Sequence, residues 1–121
     1  MRATGIHHVS INVSDLAAGR AFYVGVLGLS ERTDRPALAI DGAWLDVAGQ
    51  QVHLVVGEPP PFVGQHVAVL VDDVVATVAE LRAKGLRVSE PVAVGTALQS
   101  FLRDPFGNGV ELHQAGGAPP P

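Results

Sequence analysis

Two stretches decide how this chain is read: HHVSINVSDLAAGRAFYVGVLGLSE at 7–31 and QHVAVLVDDVVATVAELRAKGLRVSE at 65–90. Each contains His-Val followed by a β-branched run, the pattern of a strand. Each then carries an acidic helix start, Ser14-Asp15 or Asp72-Asp73, able to accept from orphan backbone N–H groups. Each goes on as a helical run and stops at Gly28-Leu29 or Gly85-Leu86, with the glycine in a C-cap position. Both end in Ser-Glu. His8 thereby matches His66 at an offset of 58 residues, and VHL at 52–54 matches VEL at 110–112 at the same offset.

Between these anchors lie strand-like segments: LSERTD (29–34), ALAIDGAWLDV (37–47) and QQVHLVV (50–56), then LRVSE (86–90), ALQSFLRD (97–104) and GVELHQ (109–114). The pattern predicts an α+β chain of two tandem βαβββ modules, about 5–57 and 65–115, within one domain over 1–115. EPPP (58–61) opens a Pro-rich linker over 58–64, since consecutive prolines continue neither helix nor ladder. GGAPPP (116–121) is expected to be a disordered tail.

Composition narrows the function classes. The 121 residues are 47% apolar, enough for a small core and against disorder. Net charge is −4, with eight Lys/Arg spread singly, which argues against a nucleic-acid surface or an anionic membrane surface. The chain has no cysteine, so a disulfide framework and a zinc ribbon are excluded, and any metal must use His and carboxylate. The opening MRATG leads at once into a strand rather than an apolar signal segment, and no apolar run approaches the roughly 18 residues of a membrane span. A cytoplasmic protein is expected.

Strand alternation sorts the side chains. Val9, Ile11 and Val13 share one face, and His8, Ser10 and Asn12 the other. Val67, Val69 and Val71 oppose His66, Ala68 and Leu70. Val52, Leu54 and Val56 oppose Gln51, His53 and Val55, while Val110 and Leu112 oppose Gly109, Glu111 and His113. The all-apolar set is what each module's helix should cover. The mixed set carries a metal-competent side chain in all four strands: His8, His53, His66 and Glu111. One histidine on a strand is most often structural, whereas four such positions on one phase of a repeat point to a metal. A carboxylate beside three histidines also needs a cationic partner. His7 falls outside this set, as a solvated strand-end residue.

These motifs, with FYVGVLGL (22–29), GQHVAVLVDDV (64–74) and RDPFGNGVEL (103–112), resemble the vicinal oxygen chelate superfamily over about residues 5–115. That superfamily holds glyoxalase I, fosfomycin- and bleomycin-resistance proteins, methylmalonyl-CoA epimerase and extradiol dioxygenases. The resemblance implies paired βαβββ modules forming a cup-shaped mixed sheet around one metal, commonly in a homodimer. It makes His8, His66 and Glu111 the His, His, Glu triad and His53 the fourth ligand. His53 stands where glyoxalase I has Glu and the epimerase has Gln. Ser10 stands two residues after the first ligand, where fosfomycin-type thiol transferases carry a hydroxyl.

Three imidazoles and a carboxylate suit Zn, Ni, Fe(II) or Cu, with Mn also open, over Mg or Ca, which favour all-oxygen shells. Glu111 is the expected proton-abstracting base, and His113, on the same face, is expected to support it rather than react. Trp44, Phe62, Phe101 and Phe106 are candidates to line an apolar substrate pocket with Ser10 and His113. Phe22 and Tyr23 read as packing residues, Arg103 as structural, and Asp104–Asn108 as a tight turn delivering Glu111 in register. The resemblance implies a metal-dependent lyase or isomerase acting on a small molecule with vicinal oxygens. The alternatives are a non-catalytic binder of the bleomycin-resistance type, then an extradiol-type dioxygenase or a fosfomycin-type thiol transferase.

Overall fold

A computed structural model describes residues 1–118. It divides into two compact units, the first Met1–Pro61 and the second beginning at Phe62. In the first, β1 (His8–Val13) leads into α1 (Leu16–Arg20), followed by β2 (Ser30–Glu31), β3 (Gly42–Val47) and β4 (Gln50–Val56). In the second, β5 (His66–Leu70) leads into α2 (Val74–Ala83), followed by β6 (Val92–Val94), β7 (Ala97–Arg103) and β8 (Gly109–Gln114). The sheet orders are β1-β4-β3-β2 and β5-β8-β7-β6, the same topology twice. In each, the first and last strands run parallel and the rest antiparallel. The expected α+β pair of βαβββ modules is therefore present.

The helix signals act as their chemistry requires. The Asp15 carboxylate accepts from the Ala18 N–H and the Asp73 carboxylate from the Ala76 N–H, each at 2.9 Å. Gly28 and Gly85 take φ of +79° and +87°, left-handed values that favour glycine. The Leu29 N–H then closes on the Tyr23 carbonyl and the Leu86 N–H on the Leu81 carbonyl. The first helical run holds a surprise: α1 passes into a π-helical segment over Ala21–Val26. That segment buries Phe22 and Tyr23 with their rings edge to face, which is the packing role read from the sequence.

The faces also sort as alternation requires. Val13, Leu45, Val52 and Leu54 are buried in the first unit, and Val74, Val78, Val110 and Leu112 in the second. A Cβ built on Gly19 of α1 would already touch Val13 and Leu54, so that helix lies close on its sheet.

Three strand expectations change. LSERTD pairs only at Ser30–Glu31, and ALAIDGAWLDV only from Gly42. Pro36 lacks a ladder donor, and the Ile40 carbonyl is taken by Arg35 Nη2 at 2.7 Å. LRVSE forms no strand; the edge strand is Val92–Val94 instead. There the Ser89 N–H still donates to the Phe101 carbonyl, but the Phe101 N–H turns to the Ser89 hydroxyl, so a side chain takes the place of the return ladder bond. Of the expected tail, the Ala118 N–H donates to the Thr96 carbonyl at 3.1 Å, and residues 119–121 lie outside the described residues.

Candidate functional site

The registers of the two units match residue for residue. Ser10 stands opposite His53 across β1 and β4, and Ala68 stands opposite Glu111 across β5 and β8. Two strands that repeat at 58 residues and pair in one register put His53 and Glu111 at equivalent points, on the sheet face away from the helix.

In the first unit the result is a stack of rings. Trp44, directly opposite His53 on β3, lies flat on it with centroids 4.8 Å apart and planes 12° apart. His8 lies on the other side of His53 at 3.9 Å and 10°. His53 is buried and donates from Nε2 to Gln51 Oε1 at 2.8 Å. Burial first, then the neighbouring rings of His8 and His7, push its imidazole below the ordinary histidine range, so it stays neutral near pH 7 with a lone pair to offer. His7 is exposed and precedes the strand, as expected, yet its Nδ1 meets His8 Nδ1 at 2.8 Å. It thus touches a candidate ligand, which alternation alone does not show.

In the second unit Glu111 is the centre. Its carboxylate is buried, stands 3.1 Å from His66 Nε2 and accepts from His113 Nδ1 at 2.9 Å. His66 Nδ1 donates to the Gly64 carbonyl at 2.8 Å. That bond keeps the ring proton on Nδ1 and leaves the Nε2 lone pair facing the carboxylate, the usual support for a ligating histidine. Phe101, opposite Glu111 on β7, meets the His66 ring edge-on at 5.5 Å. Phe101 therefore repeats Trp44, at an offset of 57 rather than 58, because Trp44 precedes its partner His53 by nine residues and Phe101 precedes Glu111 by ten.

The remaining candidates separate. Ser10 is exposed beside His53 in the ladder. Phe62 lies under the Arg103 guanidinium at 3.6 Å and beside Gly109, the partner of His66 in register. Arg103 also donates to the Gly107 carbonyl, a structural role. Phe106 sits in the turn before β8, where the buried Asp104 carboxylate accepts from the backbone N–H of Phe106 and of Asn108. Two residues join the set that the sequence did not single out. Gln51 holds His53, and Arg35 lies with His8, His53 and Trp44 around one cavity.

Among the described residues no group of three or more His, Asp or Glu side chains is gathered so as to hold a metal. The spacing of His66 and Glu111 nonetheless fits one. His66 Nε2 and Glu111 Oε1 are 3.1 Å apart. Two adjacent ligands each about 2.1 Å from one ion at a right angle are separated by roughly 3.0 Å.

The family model of the Glyoxalase/Bleomycin resistance protein/Dioxygenase superfamily matches residues 5–112. A chloroplastic protein of Arabidopsis thaliana, named as a probable lactoylglutathione lyase, is 31% identical over 94% of this chain. Mitochondrial methylmalonyl-CoA epimerase of Homo sapiens is 29% identical over 91%. The chain spans 37% of the length of the first and 73% of the second. TnmS3, an antibiotic binding protein from Streptomyces sp. CB03234, superposes with a TM-score of 0.77 at 27% identity, covering 96% of this chain and 99% of that one. No helix among the described residues is long and apolar enough to cross a membrane.

Proposed function

Because this chain belongs to the Glyoxalase/Bleomycin resistance protein/Dioxygenase superfamily, we propose that it is a metal-dependent enzyme, a lyase or isomerase acting on a small molecule with two adjacent oxygens. The observation that carries this reading is the doubled register. Ser10 opposite His53 and Ala68 opposite Glu111 put a metal-competent side chain at each equivalent point, with His8 and His66 opening the paired strands. In this proposal His8, His53, His66 and Glu111 are the ligands of one divalent cation, Zn, Ni, Fe(II), Mn or Cu, and the two modules work as one domain in a cytoplasmic homodimer.

A cation bound there supplies Lewis acidity to two neighbouring substrate oxygens. The chain's own residues do the rest. His53, kept neutral by burial and by its imidazole neighbours, offers a lone pair without first losing a proton. Trp44 on one side of His53 and Gln51 at its Nε2 fix the ring plane. Glu111 is the general base: its carboxylate takes a proton from the substrate carbon beside the oxygens. His113, donating from Nδ1 to Oε2, holds that carboxylate in place.

The test is hydrogen–deuterium exchange, followed by NMR, at carbon next to carbonyl in a panel of small 2-hydroxy and 2-oxo compounds. Metal-loaded protein is expected to exchange at least one member, and Glu111→Gln to lose that exchange. Exchange unaffected by Glu111→Gln, or oxygen consumption in its place, contradicts the reading.

One observation supports a second reading, a non-catalytic binder: the likeness to TnmS3, which is described as an antibiotic binding protein. Saturable ligand binding with no metal uptake by the wild type would favour it.

A further inference from the structure

Arg35 differs from the other arginines with side-chain contacts in the first unit. Arg20 holds Glu31, and Arg32 holds Asp34 and Asp46. Arg35 holds no carboxylate; its Nη2 donates to the Ile40 carbonyl, and its Nε is buried with no acceptor. A guanidinium has five N–H donors in a planar fork and no way to shed its charge, so a shielded N–H without an acceptor is a standing cost.

The same side chain lines a cavity of about 460 Å³ whose other walls include Leu38, Ile40, Trp44, His8 and His53. No acidic side chain lines it. The volume suits a small molecule, and a mostly apolar wall with one charged group is how such sites orient a ligand. Leu38 and Ile40, both large and apolar, are more than half exposed on a segment, 33–41, that belongs to neither helix nor strand. An occupant could therefore be admitted without breaking a ladder.

We propose that this cavity is an anion subsite, in which Arg35 receives a carboxylate or a similarly shaped oxyanion of a small ligand while Trp44, Leu38 and Ile40 cover its apolar part. The ligand gives the part of the guanidinium that lines the cavity a charged acceptor, as a charge-assisted bond, while Nε stays shielded. The inference rests on the site proposed above and adds a substrate class to it: small apolar acids.

Trp44 is the single tryptophan of the chain, so fluorescence excited selectively at tryptophan, apart from Tyr23, reports on this cavity. The experiment titrates the full chain, as purified and again after chelation, with 3-phenylpropionate and with its uncharged amide. A saturable fluorescence change is expected with the acid, at least tenfold weaker with the amide, and weakened by salt. Arg35→Gln should weaken the acid at least tenfold and leave the amide alone, and Arg35→Lys should keep part of the acid's binding. Equal binding of acid and amide, an acid unaffected by Arg35→Gln, or no saturable change overturns the subsite. If Arg35→Gln does not fold, the acid–amide comparison on the wild type decides.

Metal uptake measured on the same samples keeps the two proposals apart. Acid binding that needs Arg35 in a protein that takes up no metal retains the subsite and removes the enzyme. Metal uptake with no acid preference does the reverse.

Discussion

His8 and His53 stack face to face, centroids 3.9 Å apart and planes within 10°, across the parallel pairing of β1 and β4. Two parallel rings present their nitrogens side by side, and Trp44 closes the far face of the stack. Replacing Trp44 by Leu should leave the ligands in place but loosen the ring they rest on. Loss of outer support of this kind typically costs about 10–100-fold in metal affinity. Competition against a chromogenic chelator measures it, and an unchanged affinity would show that the stack is packing alone.

His53 also makes a pH prediction. Burial, His8 and His7 depress its folded-state value below the ordinary one of about 6.5. Below that ordinary value the unfolded chain binds a proton that the native chain refuses. Native stability therefore falls as pH drops below about 6.5. Metal-free wild type should lose more stability between pH 7.5 and 5 than His53→Gln in urea melts. Equal losses would mean that His53 titrates as a solvated residue.

His113 holds Glu111 and is not placed among the ligands. His113→Ala should lower metal affinity by about 10–100-fold, and His113→Gln, which can still donate, should restore much of it. An alanine variant with wild-type affinity would make the 2.9 Å bond incidental.

Gly42 and Gly25 offer a contrast in packing. A Cβ on Gly42 would collide with the Leu54 carbonyl oxygen, a backbone atom in the neighbouring strand, whereas a Cβ on Gly25 meets nothing within 4 Å. Gly42→Ala should destabilise by about 3 kcal/mol or more. Gly25→Ala should be neutral or stabilising by about 0.4–1 kcal/mol. Thermal melts in which both variants match would show that the β3–β4 contact relaxes freely.

Much of this was legible before the fold was seen, where two signals agreed. The 58-residue repeat and strand alternation both put His8, His53, His66 and Glu111 on one phase of their strands, and the two ladders repeat one register, Ser10 opposite His53 and Ala68 opposite Glu111. Asp15 and Asp73 were legible because a cap needs only local chemistry. LRVSE was misread because its alternation is real but only one backbone bond joins Ser89 to Phe101, the return bond going to the Ser89 hydroxyl. The kinship of Trp44 and Phe101 was hidden by a one-residue difference in their spacing to His53 and Glu111, which only the pairing reveals. Arg35 carried no signal at all. Its interest lies in an acceptor it lacks, and an absent partner leaves no trace in a sequence.

The most direct test of the central claim is metal stoichiometry and affinity in the untagged chain and in His8→Ala, His53→Ala, His66→Ala and Glu111→Ala, by elemental analysis with Zn, Ni, Mn and Fe(II) offered in turn. The account predicts that the wild type binds one ion per chain and that each variant binds at least tenfold more weakly, with His7→Ala retaining the ion. A wild type that takes up none of these metals, or a His66→Ala variant that binds as the wild type does, would contradict it.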